Sequence, residues 1–140
     1  MDINSSESIY RRRIDFLNSP QGMDKLYAEF QSFAQKVCLL ENDYREMYLA
    51  LDEVVSNIVR YAYEDSEEHR IIVDLILCND LIEVRIMDDG IPFNALTVEK
   101  PIIDEHRRDR PIGGLGIHLV REFMDKLQYY RSDGINHLVL

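Results

Sequence analysis

With 140 residues the chain fits one domain, long enough to bury about two-thirds of its unfolded surface in a single core. Hydrophobic content of 46% and charged content of 30% exclude a disordered or low-complexity chain, and there is no internal repeat. A formal charge of −10 with no basic stripe to offset it excludes a binder of nucleic-acid backbone; Arg11, Arg12, Arg13 and the cluster Arg107, Arg108, Arg110 are local exceptions.

The first residues, Met1 to Glu7, lack a basic start and an apolar core, and the longest apolar run, Ile71 to Cys78, is broken by Asp74. The expectation is a cytosolic protein with no membrane contact. Residues 8–17 alternate so that Arg12, Ile14 and Phe16 share one face and Arg13 and Asp15 the other, which reads as an edge strand guarded by charge. Ser19 and Pro20 then mark a helix start, and Met23, Leu26, Tyr27, Phe30, Phe33, Ala34 and Val37 recur at helical spacing through Leu39. Asn42 or Asp43 is placed to cap a second helix, with Glu46 completing a capping box. Cys38 and Cys78 form no C-x-x-C pair; each sits in an apolar pattern as a small buried residue would, and a reduced compartment is the simpler inference.

The second helix is the informative one. Leu51, Val54, Ile58 and Ala62 form its apolar stripe, while Glu53 and Asn57 fall together on the opposite side, one turn apart. Such a pair reads either as a solvated face or as two side chains converging on one object. Asn is a poor helix-interior residue, and a neutral amide oxygen that ligates Mg²⁺ beside phosphates, with a carboxylate alongside to accept a proton, gives it a reason. The acidic turn Glu64 to Glu68 ends the helix. His69–Leu77 and Leu81–Met87 then form a hairpin around Cys78, Asn79 and Asp80.

Asp88-Asp89-Gly90 follows that hairpin directly. It reads either as a turn or as a strand-end acceptor, Asp88, for an exocyclic amine, with Gly90 letting the backbone lie flat against a planar ring, as in an adenine site. Residues 88–112 carry Pro92, Pro101 and Pro111 without any period, a length of connection that is usually functional. Gly113-Gly114-Leu115-Gly116 opens a third helix with the stripe Ile117, Val120, Phe123, Met124, Leu127. The run is a hinge or a phosphate cradle, and Arg110 before it is placed to reach a terminal phosphate. Neither a Walker A loop nor G-x-G-x-x-G occurs. Residues 127–131 and 136–140 close the chain as strands around Ser132, Asp133 and Gly134. The four histidines, His69, His106, His118 and His137, show no ligand spacing with the cysteines, so no zinc site is expected. The order strand, helix, helix, hairpin, long connection, helix, hairpin predicts an α+β two-layer sandwich, mainly antiparallel, with about three helices on one face.

Taken in order, Glu53-x-x-x-Asn57, Asp88-x-Gly90 with Ile91-Pro92-Phe93-Asn94, and Gly113-Gly-Leu-Gly-Ile117 resemble the N, G1 and G2 boxes of the GHKL ATPase superfamily. The wording of the motifs and the short lid are most similar to its anti-sigma factor serine kinase branch, and the likeness covers nearly the whole chain as one ATP-binding domain. The resemblance implies that Glu53 is the catalytic base, that Asn57 holds Mg²⁺, that Asp88 and Gly90 bind adenine, and that Gly113, Gly114, Leu115 and Gly116 wrap the phosphates of ATP. Residues 94–112 would form the lid, with Arg110 reaching in. It further implies phosphorylation of a serine on a small antagonist protein, capture of a sigma factor, and a homodimer. The alternative within the same fold is a nucleotide-gated partner-binding module without phosphotransfer. A detached histidine-kinase catalytic domain is a further option within the superfamily, though the sequence shows no phosphoacceptor histidine helix or dimerisation hairpin.

Overall fold

A computed structural model describes residues 9–97 and 115–140. Five strands, β1 (Ile9–Leu17), β2 (Arg70–Cys78), β3 (Leu81–Asp88), β4 (Gln128–Ser132) and β5 (Ile135–Val139), form one antiparallel sheet in the order β1-β2-β3-β5-β4. Helices α1 (Pro20–Lys36), α2 (Glu41–Tyr61) and α3 (Leu115–Phe123) accompany it, with a short 3-10 turn at Ala95–Thr97. The expected α+β sandwich is therefore what the chain adopts.

The core follows from strand alternation. Ile14, Val73, Ile86 and Leu138 are register neighbours across β1, β2, β3 and β5, and all four are buried with Leu26, Phe30, Phe33, Leu51, Val54 and Ile58 of the helices. Apolar side chains on alternate positions of adjacent strands make a continuous inner face, and burying it against helices supplies the main stabilisation. The outer face carries charge: Arg13 makes a two-pronged contact with its register partner Asp74 at 2.7 Å, and Arg70 does the same with Asp15. At the β1 edge, as expected, unpaired backbone is bordered by charge.

Helix ends depart from expectation in instructive ways. Ser19 caps α1 as read, its hydroxyl accepting from the Gly22 N–H at 3.1 Å with Pro20 in the first turn. The helix stops at Lys36, short of Leu39, because Cys38 enters the left-handed region at φ 55°. Leu39 N–H then bonds the Ala34 carbonyl and Cys38 N–H the Gln35 carbonyl, a Schellman closure. This also corrects the reading of the cysteines, since Cys38 is exposed at that turn and Cys78 only half-buried. Helix α2 begins at Glu41, with Leu40 as its N-cap and no side-chain cap, so neither Asn42 nor Asp43 caps it. Glu41 and Asp43 instead act through the helix dipole in the first turn.

Helix α3 ends at Phe123, and Met124 and Leu127 pack on the core from beyond it. The last hairpin closes tighter than expected, with a two-residue turn in which both Asp133 (φ 53°) and Gly134 (φ 75°) are left-handed, as a type I′ turn demands. No described helix is long and apolar enough to cross a membrane.

The seat of α1 on the sheet is fixed by Gly22, where a Cβ would stand 1.7 Å from the Leu17 carbonyl oxygen. Gly22→Ala should force α1 off β1 and lower the stability of the domain by about 3 kcal/mol, read as a fall in the denaturant midpoint at unchanged slope.

Candidate functional site

Helix α2 and the end of β3 bring the first two motifs to one end of the domain. Asn57 is 1% exposed, not solvated, because α3 packs on α2 and the 3-10 turn lies across it. Its amide N–H donates to the Ala95 carbonyl at 3.4 Å, and its amide oxygen accepts nothing from the described residues. Glu53, one turn earlier, is half-buried with Oε1 sealed from water and without a hydrogen-bond partner among the described residues. Leaving a carboxylate oxygen dry and unpaired costs free energy, and such costs are retained where the group is kept for chemistry. The second side of α2 is therefore a buried polar face.

The 3-10 turn that covers Asn57 is itself built locally. Asn94 Oδ1 accepts from the Leu96 N–H at 3.0 Å, Thr97 bonds back to the Asn94 carbonyl, and Arg121 of α3 donates to the Leu96 carbonyl at 3.0 Å. That arrangement ties the start of the long connection to both helices.

Asp88 ends β3 at 3% exposure. Its Oδ1 accepts from the Gly90 N–H and from Asn136 Nδ2, each at 3.0 Å, while Oδ2 takes no donor from the described residues. Burial pushes its pKa up, and the Asn136 and Gly90 donors pull it back. Gly90 is also needed for packing. A Cβ there would stand 2.4 Å from the Ala62 carbonyl oxygen, so the missing side chain makes room for the end of α2.

Sequence reasoning missed the residues that organise this end of the sheet. Asn136, 2% exposed, stands opposite Asp88 on β5, and Arg131 stands opposite Asn136 on β4. Asn136 Oδ1 accepts from the Tyr129 hydroxyl at 2.6 Å, from Arg131 at 2.9 Å and from the Phe93 N–H at 3.4 Å. Its Nδ2 also donates to the Ile91 carbonyl at 2.7 Å, and Arg131 reaches the Gly90 carbonyl at 3.1 Å. One signal was available: Asn is depleted in strands, and alternation puts Asn136 inward with Leu138 and Leu140.

Beyond Gly90 lies a cleft of about 600 Å³ lined by Tyr63, His69, Asp89 and Arg131 among others. His69 stacks on Tyr63 with ring centroids 4.3 Å apart and faces Asp65 at 2.6 Å and Asp89 at 3.7 Å, which raises its pKa, Asp65 contributing most. Arg110, Gly113 and Gly114, together with residues 98–112 of the expected lid, lie outside the described residues. Of the glycine run, Leu115 and Gly116 form the first turn of α3.

Chemically, this end of the domain presents one dry carboxylate oxygen of Glu53, an Asn57 amide oxygen with no partner among the described residues, and the buried acceptor Asp88. The sequence is also similar to that of known proteins. Residues 16–140 match the family model described as the histidine kinase-like ATPase domain. Among curated relatives, the serine-protein kinase RsbW of Bacillus mycoides is 30% identical over 111 residues, 76% of this chain and 68% of that protein. RsbW of Listeria monocytogenes is 30% identical over 95 residues, covering 65% of this chain and 60% of its own length. The serine/threonine-protein kinase BtrW of Bordetella bronchiseptica is 33% identical over 92 residues, 66% of this chain and 65% of the relative. The chain thus spans about 60% to 68% of the length of these relatives. It belongs to the histidine kinase-like ATPase domain family, beside the RsbW-type serine-protein kinases.

Proposed function

We propose that this protein is an ATP-dependent protein serine kinase that also acts as an anti-sigma factor, phosphorylating a small antagonist protein and sequestering a sigma factor as a cytoplasmic homodimer. The observation that carries the catalytic half is the dry Oε1 of Glu53, without a partner among the described residues, one helical turn from the Asn57 amide. An acid and an amide so placed fit Mg²⁺ and a phosphate chain better than a purely structural role, because Glu53 Oε1 is withheld from water and neither it nor the Asn57 amide oxygen meets a partner among the described residues. The partner half rests on likeness to proteins named serine-protein kinase.

In this reading Asn57 holds Mg²⁺ through its amide oxygen, and the ion, when bound with ATP, neutralises charge on the phosphates. Asp88 accepts the exocyclic amine of adenine at Oδ2, while Oδ1 stays engaged by Gly90 and Asn136. Gly113, Gly114, Leu115 and Gly116 would offer backbone amides to the phosphates, with the dipole of α3 favouring negative charge at its start; Arg110 would reach the terminal phosphate and residues 94–112 would serve as the lid. Glu53 takes the proton of the substrate serine as its oxygen bonds the γ-phosphorus and the bond to ADP breaks. In a chain of formal charge −10, a polyanion is held by the cation and by these local dipoles.

Saturating ATP with Mg²⁺, at about 100 times Kd, should stabilise the domain by about 2.7 kcal/mol and raise its Tm by about 8 °C. Asn57→Ala or chelation with EDTA should remove most of that shift; a Tm indifferent to nucleotide would end the proposal. Glu53→Gln should reduce label transfer from γ-labelled ATP to a candidate antagonist protein by about 10²- to 10⁴-fold, with ATP affinity changed only a few-fold. ATP-dependent capture of a partner by the unsubstituted protein with no phosphoprotein formed would convert the assignment to the nucleotide-gated binding module.

A further inference from the structure

Asn136 makes five hydrogen bonds with its side chain, to partners in three segments: Asp88 at the end of β3, Ile91 and Phe93 in the loop beyond it, Tyr129 and Arg131 on β4. Few buried amides are so completely committed. Three donors converge on Oδ1, so the amide has only one workable orientation, and its NH₂ must face Asp88 and the Ile91 carbonyl. With both Nδ2 hydrogens used, Asn136 has no donor left for a ligand. Whatever it does for a bound base it does through Asp88.

We propose that Asn136, clamped by Tyr129 and Arg131 of the edge strand, is the positioning residue that keeps Asp88 an ionised, correctly turned acceptor and thereby sets the preference for adenine over guanine. The inference rests on the nucleotide reading above. Burial holds the Asp88 pKa above its ordinary value, and the donors and positive charge that face the carboxylate oppose that shift and favour its charged form. Asn136 and Gly90 donate to Oδ1, and Arg131 adds a positive charge from β4. Against these stand Asp89, next along the chain, and the burial itself; Tyr63 after α2 and Tyr129 on β4 are the remaining titratable neighbours.

The state of the proton decides the base. An ionised Asp88 can only accept, which suits the exocyclic amine of adenine and repels the carbonyl oxygen that guanine carries at the same position. A protonated Asp88 can donate an O–H to that carbonyl and loses the discrimination. Fixing Oδ1 on β5 also directs Oδ2 as the remaining acceptor.

The test combines two readouts on the full chain. Carbon NMR of labelled aspartate carboxyls follows the Asp88 titration without nucleotide, and calorimetry gives ATP and GTP affinities with Mg²⁺ between about pH 5 and pH 9. Loss of the donor in Asn136→Ala should raise the Asp88 midpoint by about one to two pH units, since a hydrogen bond to a charged group is of that size. The pH below which ATP loses its advantage over GTP should rise with it. Arg131→Ala, an exposed position that leaves the core intact, should move both in the same direction by less, and it decides the matter if Asn136→Ala does not fold. An unmoved Asp88 midpoint, or a moved midpoint with an unchanged ATP-to-GTP ratio at every pH, overturns the positioning role. Normal Asp88 shifts in a protein that binds neither nucleotide overturn the nucleotide reading instead, and base selection with it.

Discussion

At Gly90 the loop after β3 runs so close under the end of α2 that no side chain fits, and the Ile91 N–H closes the approach by donating to the Ala62 carbonyl at 2.8 Å. That bond satisfies a helix-end carbonyl that would otherwise lack a partner, so it serves the helix and the loop together. Its larger consequence is positional. Glu53 and Asn57 ride on α2 and Asp88 ends β3; with the helix end held against the loop, three side chains from two layers keep a fixed relation. A methyl group at residue 90 would separate the layers at the one place where the chemistry spans them.

The sheet is graded toward the same place. The row Ile14, Val73, Ile86, Leu138 is apolar throughout, while the neighbouring inward row runs Phe16, Ile71, Asp88, Asn136, Arg131. Its first two members are core; its last three form a hydrogen-bonded chain. Asp88 and Asn136 are tolerated at that depth because each finds a partner across the strand, the exposed Arg131 closing the row, and buried polar groups with their partners in place are rigid. The same residues that would weaken a core in isolation give this end of the domain a single geometry.

What could be read in the sequence was what depends on near neighbours along the chain. The strand and helix order, the Ser19 cap and the one-turn spacing of Glu53 and Asn57 all follow from local periodicity, and each holds in the structure. Asn57 was placed correctly on the helix and wrongly thought to have a solvated alternative, because its cover comes from Ala95 and α3, 38 and more residues away. Asn136 escaped notice for the same reason: its partner Asp88 is 48 residues distant and meets it only once β5 docks between β3 and β4. Helix ends failed differently. Leu40 caps α2 without a side-chain bond and Cys38 turns left-handed to close α1, two conformations that no preference of those residues announces.

The long connection between β3 and α3 is anchored at both of its described ends, and by the same helix. Leu96 is held by Arg121 from α3, and Ile117 and Val120 bury α3 in the core beside α2. The start of α3 and the turn covering Asn57 are thus held by the same packed helix, Arg121 tying one to the other as α3 lies on α2.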